Sequence, residues 1–175
     1  HGIVPAEAVE EAAAPEVALD PQAEVARLRE AVAAAPDQGG LKLDLALALL
    51  RTGAADEART LIDALPANLA TDDRAVRAKA RLGFAAALKD APALPALQAA
   101  VAADGADLKS RHLLGVRLLL DGQDEAALEQ FLEMLRQDRG YADGLPRQAL
   151  IDAFRVIEDA ELVGRYRRRM SALLF

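Results

Sequence analysis

His112 is the only histidine inside the chain, and histidine is the side chain that changes charge near neutral pH and ligates metals most often. A metal centre needs further ligands at set spacing. No second histidine stands near His112 and the chain has no cysteine, so the residues supply neither a ligand set nor thiol or disulfide chemistry. The paired acids Asp72-Asp73 and Asp124-Glu125 fall at predicted helix starts, where carboxylates complement the helix dipole. No nucleophile elbow, phosphate-binding loop or dinucleotide fingerprint occurs. The expectation is a chain that is not an enzyme, with no cofactor and no metal.

The remaining group that could act is a basic run, Arg165, Arg167, Arg168 and Arg169, followed by Leu174 and Phe175. Two readings stand. Positive charge is favoured near a helix C-terminus, so the run can be a solvated face. It can also be a docking helix for an acidic partner, extended by Arg136 and Arg139.

These residues sit on elements that the spacing predicts. In 108–144, Leu114, Gly115 and Leu118 lie on one helix, ended by Gly122, the usual place of a glycine just past a helix. Ala127, Phe131 and Met134 follow at helical spacing on a second. Gly115 inside a helix costs about 1 kcal/mol relative to Ala, so a close helix crossing is the better account of it. A shift of 69 residues carries Leu114 onto Leu45, Gly115 onto Ala46, Leu118 onto Leu49, Gly122 onto Gly53, Ala127 onto Ala58, Phe131 onto Ile62 and Met134 onto Leu65. That shift is about two periods of the roughly 34-residue tetratricopeptide repeat, whose Leu-Gly, turn Gly, Ala and Phe pattern this resembles. A more degenerate repeat is expected between the two good ones. The predicted fold is all-α, a solenoid of antiparallel helix hairpins over residues 21–175.

Asp20-Pro21 reads as a helix start, a capping side chain with proline at the first position. The helix after it, closed by Pro36, matches the second half of a repeat. Later helices are expected over 41–52, 55–65, 73–88, 93–103, from Pro146, and from Asp159, with the loop 66–72 between. The last pair fits the capping role that solenoids need. Residues 1–20 hold Glu7, Glu10, Glu11, Glu16 and Asp20 with no Lys or Arg. They read as an acidic linker. The chain starts on His1 rather than Met, and the expectation is a piece of a longer chain with another domain upstream.

Composition agrees with helices. The chain is 53% hydrophobic but 3% aromatic, without Trp, which suits close helix packing better than a β-sandwich. A formal net charge of −7 argues against nucleic acid, which wants a basic footprint. No apolar run approaches membrane-span length.

RQDRGYADG, a helix holding Phe154, and a terminal LVGRYRRRMSALLF resemble the C-terminal region of bacterial thioredoxin-like co-chaperones, the chaperedoxins (YbbN/CnoX-type proteins). The matching residues are Arg136, Asp138, Arg139, Asp143, Phe154, Tyr166, Arg167, Arg168, Leu173, Leu174 and Phe175. The likeness covers about residues 22–175; Leu145-Pro146 stands where relatives often have Ala-Arg. It implies an upstream thioredoxin-like domain, a cytoplasmic co-chaperone, and binding of unfolded or non-native proteins, of a chaperonin, or both. The alternative is a tetratricopeptide adaptor that assembles one fixed complex. Modules of this kind that grip acidic chaperone tails use Lys, Arg and two Asn, but the one asparagine here, Asn68, is in a loop. The inner-face positions instead hold Leu43, Leu47, Leu50, His112, Val116 and Leu119, an apolar groove that suits exposed hydrophobic segments unless neighbouring helices fill it.

Overall fold

The structure is a computed structural model and describes residues 20–175. The expected linker, apart from Asp20, lies outside the described residues. Among the described residues, ten α-helices follow in order: α1 Pro21–Ala34, α2 Gly39–Arg51, α3 Ala55–Asp63, α4 Ala67–Ala70, α5 Asp73–Ala87, α6 Leu94–Ala103, α7 Leu108–Leu120, α8 Asp124–Gln137, α9 Leu145–Val156 and α10 Ala160–Leu174. No strand occurs among the described residues, and none of their helices is long and apolar enough to cross a membrane.

Local chemistry sets the helix ends. The Asp20 carboxylate accepts from the Gln22 N–H at 3.1 Å, with Pro21 in the first turn of α1. Asp72 caps α5 through the Arg74 N–H at 2.9 Å, and Asp107 and Asp159 cap α7 and α10 in the same way. Each supplies an acceptor to a donor that the first helical turn leaves unpaired.

The two good repeats superpose at the level of single hydrogen bonds. Gly53 and Gly122 sit at φ +84° and +81°, the left-handed region that glycine enters without steric cost. Beyond them the Ala54 N–H reaches the Leu49 carbonyl at 3.0 Å, and the Gln123 N–H reaches the Leu118 carbonyl at 2.8 Å. This is one C-terminal capping motif repeated 69 residues apart. The paired positions Ala58 and Ala127, Ile62 and Phe131, Leu65 and Met134 are all buried. At the second crossing α7 and α8 nearly touch. A Cβ added to Gly115 would lie 2.5 Å from Phe131 Cε1, well inside van der Waals contact.

The middle repeat has its two helices but not a closed hairpin. α6 packs chiefly on α7, whereas α5 leans over α7 and α9. Leu97 is the one buried residue of Ala-rich α6, which leaves little apolar surface to hold it to α5. The long helix α5 joins two cores: Ala78 and Leu82 belong to a cluster with α1, α2 and α3, and Phe84 belongs to the larger cluster of the C-terminal half. Phe84 stacks on Phe131 with ring centroids 6.2 Å apart, a preferred aromatic spacing.

Two short elements were not expected from the spacing. Residues 66–72, read as a loop, hold the single turn α4, whose Leu69 lies over Gly39. Between α8 and α9, Tyr141–Asp143 make a 3-10 turn, and Ala142, Asp143 and the Gly144 that follows all have positive φ. α10 packs mainly against α8. Tyr166 shares its apolar cluster with Leu150, Phe154 and Ile157, but its polar anchor is on α8.

Candidate functional site

His112 lies on α7, half-buried, with its ring 6.0 Å from that of Phe131. Burial pushes its imidazole below the usual histidine range, which disfavours the charged form. No group of three or more His, Asp or Glu residues placed to hold a metal ion occurs among the described residues. The folded state holds His112 neutral while the unfolded chain protonates near pH 6.5, so stability falls as pH drops through that value. We expect a melt that is lower at pH 5.5 than at pH 7, with part of the loss removed in His112→Gln. An equal loss in that variant would contradict the assignment to His112.

The acid pairs stand at helix starts. Asp72 is the α5 cap described above. Asp124 and Glu125 occupy the first turn of α8. Burial raises the Asp124 carboxyl, and Glu125 lies 3.5 Å from Arg165.

The six inner-face positions divide into three places. Leu43, Val116 and Leu119 are 0%, 0% and 3% exposed. Leu43 is covered by Leu65 and Ala75, and the other two lie in the C-terminal core, because α5 and α9 cross the faces of the first helices. They are core residues and do not line an open groove. Leu47 and Leu50 are half-buried in a hollow of about 680 Å³ on one side of α5, with Leu120, Arg51, Arg77 and Arg81. His112 lines a second hollow of about 610 Å³ on the other side, with Val76, Phe84 and Ala149. The spacing placed these positions on a common face. It could not show that α5 divides that face in two.

The basic run also divides. Arg169 binds Glu129 of α8 and Arg165 faces Glu125, one helical turn before it. The Tyr166 hydroxyl, buried between them, donates to Glu129 at 2.5 Å. The Arg169 bond and the Tyr166 bond hold the Glu129 carboxyl below its ordinary value. Burial, followed by Glu129 itself, pushes the Tyr166 hydroxyl up to about 12. Arg167 takes the other side of α10, its guanidinium 5.5 Å from the centre of the Phe154 ring, within cation–π range. Arg168 is exposed. Arg136 pairs with Glu133 on its own helix. Arg139 donates to the Leu174 carbonyl at 3.4 Å, which ties the end of α10 to the turn before α9. Leu174 is half-buried, and Phe175 projects fully into solvent at 104% exposure.

Sequence reasoning missed a second basic feature. Arg51, Arg74, Arg77 and Arg81 come from α2 and α5 and converge on the hollow that holds Leu47 and Leu50. The residues at 74, 77 and 81 are spaced for one face of α5, but Arg51 joins them only through packing.

A tetratricopeptide repeat family model matches residues 87–175, and a second one matches residues 20–82. No curated protein matches. Among solved structures, a domain of a protein of unknown function from Vibrio parahaemolyticus is similar, with 25% identity over 89% of this chain and 90% of that one, at a TM-score of 0.43.

Proposed function

We propose, for a chain that belongs to the tetratricopeptide repeat family and so to a family of protein-interaction modules, that it serves a bacterial thioredoxin-like co-chaperone. In this reading residues 1–20 are an acidic linker from an upstream thioredoxin-like domain, residues 21–175 are the interaction domain, and the whole protein works in the cytoplasm. Stacked helix repeats form extended binding surfaces rather than reaction centres. The C-terminal end is the docking element for a chaperonin, and the hollows beside α5 hold apolar stretches of non-native clients.

One observation carries the reading. The residues that resemble the co-chaperone terminus are used to present it. Asp138 accepts from the Gly140 N–H at 3.1 Å and shapes the turn, and Arg139 on that turn holds the Leu174 carbonyl. The terminus is thus fixed up to Leu174 while Phe175 stays in water. Phe175, next to a tethered Leu174, is covered by nothing among the described residues. Large aromatic anchors ringed by polar side chains dominate protein interfaces.

A pull-down of a purified bacterial chaperonin tests this. The intact chain should retain the chaperonin, and a chain lacking Leu174 and Phe175 should lose most of it while keeping its helical circular dichroism. Equal retention by both would overturn the docking role.

A further inference from the structure

The arginine-lined hollow has a shape and charge that the interaction role of α10 does not use. Its walls are the C-terminal half of α2 and one face of α5, closed by Leu120. Leu47 and Leu50 supply an apolar floor, and Arg51, Arg77 and Arg81 stand around it, in a protein of net charge −7. Arg77 faces Glu158 at 3.3 Å, and Arg74 is shared between Asp72 and Asp44. Among the described residues Arg51 and Arg81 make no ion pair, and the Arg77 Nε is buried without a hydrogen-bond partner. Such a hollow suits a segment with both carboxylates and small aliphatic side chains.

This chain contains one. Residues 1–19 carry Glu7, Glu10, Glu11 and Glu16 with no Lys or Arg, interleaved with Ile3, Val4, Val9, Val17 and Leu19. The attachment point is favourable. α1 and α2 are joined by a short turn and pack together, so they run antiparallel and the start of α1 lies by the end of α2. Arg51, at that end, is close enough to Glu24 in the first turn of α1 to lower its carboxyl, an effect smaller than that of its bonded neighbour Arg27. The segment therefore leaves the described fold beside the arginine that opens the hollow. Extended, 19 residues reach about 60 Å, far more than the roughly 22 Å length of α5.

We infer that the acidic segment 1–19 docks in cis on the Arg51–Arg77–Arg81 hollow, over Leu47 and Leu50. The inference does not need the co-chaperone reading, since both parts belong to this chain.

Because the chain has no cysteine, Ala8→Cys gives a single attachment point for a nitroxide in the full chain. At low salt the amide signals of Leu50, Arg51, Arg77 and Arg81 should be broadened selectively relative to those of α6. High salt should relieve the broadening. So should Arg51→Glu with Arg81→Glu, or Glu7, Glu10, Glu11 and Glu16 all changed to Gln. These are surface changes, and circular dichroism checks that the helices persist. Groove signals no more affected than those of α6 would overturn the inference, as would broadening that survives the arginine reversals. Broadening of isotope-labelled copies by a spin label on unlabelled ones would assign the hollow to a second copy and overturn docking in cis. Added poly-glutamate that shifts Arg81 without any intramolecular broadening would assign it to an external acidic partner, with the same consequence.

Discussion

Gly115→Leu should lower the melting temperature by about 6–12 °C, the shift expected in a domain of this size for roughly 3 kcal/mol. The Phe131 ring is wholly buried and already fills the space where a Cβ would sit, with Cε1, Cδ1 and Cζ at 2.5, 2.9 and 3.0 Å. The ring cannot swing away, because Phe84 stacks on it and Leu128 and Leu132 are buried in the same cluster. Overpacking at such a site costs about 1–3 kcal/mol or more. The smaller change Gly115→Ala sets two effects against each other. Better helix propensity contributes about 1 kcal/mol, and the clash opposes it by at least as much. We expect a net loss, partly restored by Phe131→Leu in the same chain. Additive effects of the two changes would mean that the helices do not meet at this point, since residues in contact couple.

Tyr166→Ala should be as damaging. The ring is 1% exposed, and removing a buried aromatic costs about 3–5 kcal/mol. It also releases Glu129 from one of its two partners. Tyr166→Phe separates these terms: it keeps the ring and removes a hydrogen bond to a charged acceptor, for about 1.5–3 kcal/mol. The two groups also set a pH window. Glu129, held low in the folded state, stabilises the fold above about pH 4.5, and its contribution is lost as pH falls through the lower folded value. Tyr166 must keep its proton in the folded state, so stability falls as pH rises from 10 toward about 12. Urea titrations across pH 9–11 should show this alkaline loss in the native chain and less of it in Tyr166→Phe. The same slope in both would place the titrating group elsewhere.

The repeat architecture was readable because its signals are local. Gly53 and Gly122 mark turns that need positive φ, and Gly115 marks a crossing too close for a side chain. Capping residues such as Asp20 and Asp159 stand within three residues of the donors they satisfy. What stayed hidden depends on distant elements. Leu43, Val116 and Leu119 share a helix face with Leu47 and Leu50 in the repeat pattern, and only the crossing of α5 and α9 turns the first three into core. The arginine run was legible as charge but not as two pairs. Glu125 and Glu129 lie about forty residues before Arg165 and Arg169, and only the docking of α10 on α8 joins them. Residues 74, 77 and 81 show a helical spacing that was there to be read, but nothing local ties them to Arg51.

That division of the basic run gives the most direct test of the proposed docking element. Arg165 and Arg169 face α8, whereas Arg167 lies over Phe154 and Arg168 faces water. Chaperonin affinity should therefore be measured by titration at low and high salt, beside a melt, for two double reversals. Arg167→Glu with Arg168→Glu should weaken binding, most at low salt, with little change in melting temperature. Arg165→Glu with Arg169→Glu should lower the melting temperature and leave the affinity of the folded fraction near that of the native chain. Native affinity in a folded chain that carries the first double reversal and also lacks Leu174 and Phe175 would contradict the docking role of α10.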